Sequence, residues 1–260
     1  MELYTNDFLQ NIHGIKYLMR TLANTLDDHK LIDLEYGLLI LSDFYFGNFA
    51  LFDKHIPKSQ YPLFEEKILS HTNGKEVEIC CVHENIGFLD FISSLSSLQF
   101  KKERGKEYAM KFSFYPFKKE NKEVEELKKG DIKGLAKLML LAKPELNLDR
   151  ISLHLEKLIE LKSIKFYVIK NIENEIVAMR MLLFCEKEKE GYVQGYCNFV
   201  LKEYRRSGFA SMLLDSSLSD ASSLGFHTFG NQATEDGYKF CTRLGMELIG
   251  TYHFLKITVL

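Results

Sequence analysis

Neither sign of charge is in excess in this chain: 34 lysines and arginines face 36 aspartates and glutamates, a formal net charge of -2. That balance leaves no electrostatic footprint for DNA or RNA. The basic runs Lys101–Lys106 and Lys118–Lys122 are interrupted by glutamate and read as solvated loop surface. The five cysteines, Cys80, Cys81, Cys185, Cys197 and Cys241, form no C-x-x-C pair and lack metal-ligand spacing. Four lie in apolar runs, where cysteine behaves as a small hydrophobe. The pattern fits a reducing compartment, with neither a disulfide framework nor a metal site. No apolar run approaches ~18 residues without a charge or turn, and the start "MELYTNDFLQ" lacks a signal-peptide core. The expectation is a soluble, cytoplasmic protein without a membrane or nucleic-acid partner. Several chemical motifs are missing too: there is no G-x-x-x-x-G-K-[ST], no G-x-G-x-x-G opening a helix, no G-x-S-x-G and no H-E-x-x-H.

With 46% hydrophobic residues, a chain of 260 can build real cores and suits two domains. The segment "YPFKKENKE" (115–123), holding one of only four prolines amid dense charge, is the best candidate boundary. After it, "EVEELK" reads as a short strand. Asp131 can cap a helix with the stripe Ile132, Leu135, Leu138, Met139 and Ala142, and Asn147 one with Leu148, Ile151, Leu155 and Leu158. "IKFYVIKNI" and "IVAMRMLLFC" read as a hairpin turning at Glu173–Glu175. A strand ending at Leu201 leads to a helix from about Phe209 to Leu224, closed by Gly225. A strand "HTFGN", a short helix from about Asp236 to Leu244 and a strand pair "ELIGTYHFLKITVL" complete the order. The whole is a mixed α+β arrangement rather than a strand–helix repeat.

The junction "YRRSGFASMLL" (204–214) carries the chemistry. A helix start exposes unpaired N–H groups and a partial positive charge, which together favour phosphate. Gly208 lets a backbone approach a phosphate closely. Ala210 and Ser211 keep that approach uncrowded, while Arg205 and Arg206 add full charges suited to a diphosphate. The plain alternative is a solvated strand–helix turn.

The run Arg205-Arg206-Ser207-Gly208-Phe209-Ala210 resembles the R/Q-x-x-G-x-G/A signature of the GCN5-related N-acetyltransferases, the GNAT superfamily. Leu244-Gly245-Met246 resembles the family's L-G-F landmark, and the order of elements from 123 to 260 is similar as well. The resemblance implies acetyl-coenzyme A as donor and a small-molecule or peptide amine as acceptor, in a monomer or homodimer. It implies pantetheine contacts at the backbone of Phe199 and Val200, and a pyrophosphate on the turn through Arg205, Arg206, Ser207, Gly208, Phe209, Ala210 and Ser211. A backbone N–H of the strand would polarise the acetyl carbonyl. Many members place a tyrosine general acid four residues before the L-G-F glycine. Here that position is Cys241, the asparagine expected seven residues earlier is Thr234, and Tyr238 lies one helical turn before Cys241. Three readings stay open: Tyr238 supplies the proton, Cys241 supplies it, or solvent suffices. As base, Asn198, Glu203, Glu235 and His253 are all polar and none is singled out.

Residues 1–115 repeat the order without the motif: a helix (Asn6 to Leu26), a hairpin-like run (34–52), a loop and a helix (54–71), the strand "EVEICCV", a helix "ENIGFLDFISSLSSLQF" and the strand "EYAMKFSFYPF". "PKSQYP" takes the place of "RRSGFA", and Leu98-Gln99-Phe100 that of Leu244-Gly245-Met246. Two GNAT-like domains are expected, 1–118 degenerate and 119–260 functional, each a mixed, largely antiparallel sheet flanked by helices. The alternative for the first half is an unrelated α+β domain of similar order.

Overall fold

A computed structural model describes residues 6–42, 48–54, 56–72, 77–81, 103–114, 121–144, 146–185 and 191–257. The helix expected at 84–100, Leu98-Gln99-Phe100 with it, lies outside the described residues, as does 115–120 of the expected boundary. The elements are α1 (Asn6–Thr25), β1 (Lys30–Leu34), β2 (Gly37–Leu41), β3 (Asn48–Phe52), α2 (Tyr61–Thr72), β4 (Val77–Cys81), β5 (Glu103–Ser113), β6 (Val124–Glu126), α3 (Ile132–Ala142), α4 (Leu148–Leu158), β7 (Ile164–Lys170), β8 (Ile176–Cys185), β9 (Tyr192–Val200), α5 (Phe209–Ser223), β10 (Thr228–Ala233), α6 (Glu235–Arg243) and β11 (Glu247–Ile257). The fold is mixed α/β with a largely antiparallel sheet flanked by helices. Residues fall into two compact units, neither continuous in sequence: Met1–Gly14, Met110–Gln232 and Gly245–Glu247 form the first, Ile15–Ala109, Ala233–Leu244 and Leu248–Leu260 the second.

In the first unit the strands run β10-β9-β8-β7-β6, antiparallel except for the parallel pair β9–β10. All ten residues of β8 are buried, so it reads as a continuous apolar run broken only by Arg180. The Arg180 guanidinium lies 4.9 Å from the centroid of the Phe229 ring, a cation–π contact inside the core. The α3 stripe buries Ile132, Leu135, Leu138 and Met139, and α4 buries Ile151, Leu155 and Leu158. Asn147 caps α4 as expected, accepting from the Arg150 amide at 3.0 Å. Asp131 precedes α3 but makes no side-chain cap; its carboxylate pairs with Lys170 at 3.0 Å instead. On α5, Asp220 accepts from the Tyr167 hydroxyl (2.5 Å) and the Lys165 ammonium (2.8 Å), tying the helix to β7. Burial, and then this hydrogen bond, push the Tyr167 hydroxyl far above its ordinary pKa. Where α5 ends, the Phe226 amide bonds Ala221 O and the Gly225 amide bonds Ser222 O, the paired closure that satisfies orphan carbonyls.

A buried polar pair crosses the opposite face of β9. Asn11 Nδ2 donates to the Tyr192 hydroxyl at 3.1 Å, and Gln194 is fully enclosed beside it. Glycine at 230 makes the room, since a Cβ there would fall on the Tyr192 hydroxyl.

In the second unit β1, β2 and β3 form an antiparallel meander, β3 pairs parallel with β4, and β4 antiparallel with β11. The expected hairpin at 34–52 is β2–β3. Leu39, Ala50, Phe52, Phe64, Val77 and Ile79 form its core. His29 is buried here with both ring nitrogens engaged: Ser42 Oγ lies 2.7 Å from Nε2 and Asp28 Oδ1 2.8 Å from Nδ1. The order of groups is that of a hydrolase triad, but Ser42 is buried and its amide donates to Asn48 Oδ1 at 3.0 Å. The cluster is a polar brace that satisfies a core histidine. The expected C-terminal strand pair is instead one strand, β11, running through Gly250. Among the described residues, no helix is long and apolar enough to cross a membrane.

Gly230→Ala should lower stability by about 1–3 kcal/mol, because a methyl must displace Tyr192 from a filled site. A melting temperature equal to wild type would show that the Tyr192 hydroxyl does not occupy that space.

Candidate functional site

The site begins where β9 changes partners. β10 pairs with β9 from Thr228↔Tyr192 to Asn231↔Gly195, and no further. β9 continues to Val200, still paired on its other side with β8. Within that stretch the β8 register shifts from Met181↔Tyr196 to Met179↔Phe199, so Cys197 and Asn198 oppose the single residue Arg180. This is a β-bulge, and Cys197 has φ +51° there. Leu201 donates its amide to Val177 O at 2.9 Å. Hydrogen-bonded and non-hydrogen-bonded pairs alternate in an antiparallel ladder. Val200, opposite Ala178, is therefore in a non-hydrogen-bonded pair, with its N–H and C=O directed away from β8. Arg205 Nε donates to that carbonyl at 3.2 Å.

A 3-10 turn, Lys202–Tyr204, then leads to α5. Two residues adopt left-handed backbone in quick succession, Arg206 at φ +67° and Gly208 at φ +86°. For arginine that conformation costs on the order of 1–3 kcal/mol and persists only where its surroundings impose it. The anchors are visible. Tyr204 stacks on Phe209 (centroids 6.2 Å apart, planes 16°), and its hydroxyl accepts from Asn171 Nδ2 at 3.2 Å. Asn171 in turn organises the β7–β8 hairpin, its Oδ1 accepting from the amides of Glu173 (3.0 Å) and Glu175 (2.9 Å). Gly208 is the residue immediately before α5, no side chain caps the helix, and a Cβ at Gly208 would meet nothing within 4 Å. The turn from Arg205 to Gly208 is exposed, and Phe209, Ala210 and Ser211 are half-buried.

Phe199, Val200 and Arg205 to Ser211 are thus brought together in the first unit. Tyr204 and Asn171 were not singled out from the sequence. The aromatic five residues before Phe209 was the only available signal, and the hairpin asparagine gave none.

Tyr238 and Cys241 lie on α6, in the second unit. Thr234 is its N-cap, accepting from the Gly237 amide at 3.4 Å. The residue standing where the family places asparagine therefore starts a helix. Cys241 is buried at 2% exposure, whereas Tyr238 is half-buried and stacks on Tyr108 with centroids 4.3 Å apart. Leu244 ends α6, Gly245 follows at φ +79° and Met246 is buried.

The model of the Acetyltransferase (GNAT) family matches residues 133–246. No curated protein matches the sequence at significance. Solved structures similar in fold include a functionally unknown conserved protein from Staphylococcus epidermidis (TM-score 0.66, 12% identity, 90% of this chain and 95% of that one). A GCN5-related N-acetyltransferase from Kribbella flavida gives TM-score 0.61 at 12% identity over 94% and 95% of the two chains. A tandem GNAT protein from the clavulanic acid biosynthesis pathway gives 0.59 at 10% identity over 85% and 77%. At such identities the likeness is one of fold, and it extends over both halves of the chain.

The bulge makes a chemical prediction. Burial pushes the Cys197 thiol up to about 12, with Lys143 opposing. Cys197 is half-buried; since the thiolate is the reactive form, iodoacetamide at pH 8 should label it in the native chain at least about ten-fold more slowly than in the unfolded chain. Peptide mapping that finds comparable rates would show the thiol to be open to water.

Proposed function

We propose that this chain, whose residues 133–246 match the GNAT family model, moves an acetyl group from acetyl-coenzyme A to the amine of a small molecule or peptide. The observation that carries the reading is the left-handed Gly208 opening an uncapped α5, one short turn after a strand that has lost one neighbour. Interleaved left-handed residues at a helix start form the kind of concavity in which backbone amides receive an anion. The amides from Arg206 to Ala210 would hold the diphosphate, with Arg205 and Arg206 supplying charge from an exposed turn; the Ser211 amide is already bonded to Gly208 O at 2.9 Å. The Val200 N–H, turned away from β8, is the donor for the pantetheine arm, while its carbonyl is already engaged by Arg205. Bound acetyl-coenzyme A supplies an activated thioester. A β9 backbone N–H at the bulge polarises the carbonyl, and Tyr238 holds the proton for the sulfur. Residues 119–260 carry this site; 1–118 form a degenerate GNAT-like half that binds no coenzyme. The working compartment is the cytoplasm, and the functional form a monomer or homodimer, with no nucleic-acid partner.

A second reading keeps the fold as a non-catalytic module binding a metabolite or protein. It is favoured by one observation: the position where the family places its tyrosine is Cys241, which is buried. A different acyl or aminoacyl donor would use the same diphosphate cradle.

Acetyl-coenzyme A at 100 times its dissociation constant should stabilise the chain by about 2.7 kcal/mol, read as a raised melting temperature. Gly208→Asp should abolish that shift, since it adds a Cβ and a negative charge where the phosphates lie. No shift with wild type at millimolar ligand sinks both transferase readings, and normal binding by the variant displaces the cradle.

The proton donor is tested separately, with a panel of amines and free-thiol detection. Tyr238→Phe should lower kcat by roughly 10²-fold or more while leaving coenzyme affinity intact. Cys241→Ser should act on stability. The reverse pattern would transfer the role to Cys241.

A further inference from the structure

The first turn of α6 presents Glu235 and Tyr238 on one face, because residues three apart are neighbours on a helix. Tyr108, on β5, meets both. Its hydroxyl donates to Glu235 Oε2 at 2.6 Å, and its ring stacks on that of Tyr238 with centroids 4.3 Å apart and planes 25° from parallel. Lys106, two residues back on the strand, places its ammonium 5.6 Å from the Tyr108 ring. All four residues belong to the second unit. A hydrogen bond to a carboxylate is stronger than a neutral one, so Glu235 fixes the Tyr108 ring in place. The fixed ring then closes off one side of the half-buried Tyr238 and restricts its rotation.

We propose that Tyr108 is a positioning residue, anchored by Glu235, that holds the Tyr238 phenol in the orientation needed for proton transfer. The inference rests on the proposed transferase reading, with Tyr238 as donor, and assigns a role to two residues outside the family motif. Glu235 thereby serves as the anchor of Tyr108, not as the base for the acceptor amine. The hydrogen bond to Glu235, with burial adding to it, raises the pKa of Tyr108, so its phenol remains a donor across the working range. A misplaced proton donor is costly, since an error of about 1 Å at a reacting group can lose on the order of 10²-fold in rate.

The test is a double-mutant cycle in the full chain. Acetyl-coenzyme A is the donor, paired with the fastest amine of the panel or, if none reacts, with water; free thiol is counted. Tyr108→Leu should lower kcat about ten-fold or more, with KM for acetyl-coenzyme A unchanged within about two-fold. Tyr108→Phe keeps the ring but loses the anchor, so its rate should fall between those of wild type and Tyr108→Leu. In the Tyr238→Phe background, Tyr108→Leu should cost nothing further. Glu235→Gln, an exposed substitution that preserves the fold, should lower kcat in the same direction by less, and this covers the case in which Tyr108→Leu fails to fold. Full activity of Tyr108→Leu or, where that variant does not fold, of Glu235→Gln overturns the proposal; so do equal losses for Tyr108→Leu with and without Tyr238. Calorimetry separates the two levels: a wild type that does not bind acetyl-coenzyme A retires the transferase reading and this role with it. A wild type that binds and turns over without dependence on Tyr108 or Glu235 overturns the positioning role alone.

Discussion

One constraint governs the candidate site: β9 is held by β8 along its length but released by β10 after Gly195. The release point is set by what lies beside it. A Cβ at Gly195 would strike both the Arg180 guanidinium and the Phe229 ring, so the strand has no side chain where the buried cation–π pair approaches the sheet. One residue beyond Tyr196, the extra residue of the bulge sits opposite that same Arg180. Buried backbone groups must be paired, and β10 no longer provides partners past Asn231. The chain answers for one of them, the Val200 carbonyl, with the side chain of Arg205. The first arginine of the motif therefore braces the strand end as well as contributing charge.

The strained turn depends on that brace and on a second one. Left-handed backbone at Arg206 is unfavourable by itself. It is imposed from both flanks: by Arg205 reaching back to β9, and by Tyr204 lodged between Phe209 and Asn171. Asn171 is the residue that shapes the β7–β8 hairpin, so the turn before α5 and the far end of the central strands are fixed by one side chain. The mouth of the helix needs no cap of its own to hold its conformation, and none is present.

What was legible in the sequence was local. The α3 and α4 stripes, the Asn147 cap and the glycines at 208, 225 and 245 express 3.6-residue periodicity or a positive φ, and both leave marks within a few residues. What was not legible was pairing at a distance. β4 and β11 are joined across more of the chain than any window spans, so the terminal run read as a strand pair instead of one long strand. Asp131 has the composition of a cap, yet an ammonium on β7 offers a full charge and takes the carboxylate. Tyr108 has no sequence signal at all, because its partners Glu235 and Tyr238 lie far down the chain. The bulge at Cys197 is equally silent, being a mismatch of register with another strand.

The turns before α2 and α5 show how differently two helix starts use their backbone. Before α2, Pro57 is extended at φ -63°, and the turn Lys58–Gln60 uses its own amides: Gln60 bonds Pro57 O at 2.9 Å, and Tyr61 bonds Lys58 O. Pro62, in the first turn of α2, has no N–H to give. The Gln60 and Tyr61 amides are thus engaged within the turn and Pro62 has none to give, and a point charge such as Lys58 without an amide nest is a poor clamp for a diphosphate. The turn before α5 instead holds a left-handed glycine with open space in front of it. The difference lies in two prolines and one glycine, residue types whose effect is on dihedral angles and N–H groups. A helix start can therefore be built with or without a left-handed glycine, and only the turn before α5 leaves its N-cap backbone open.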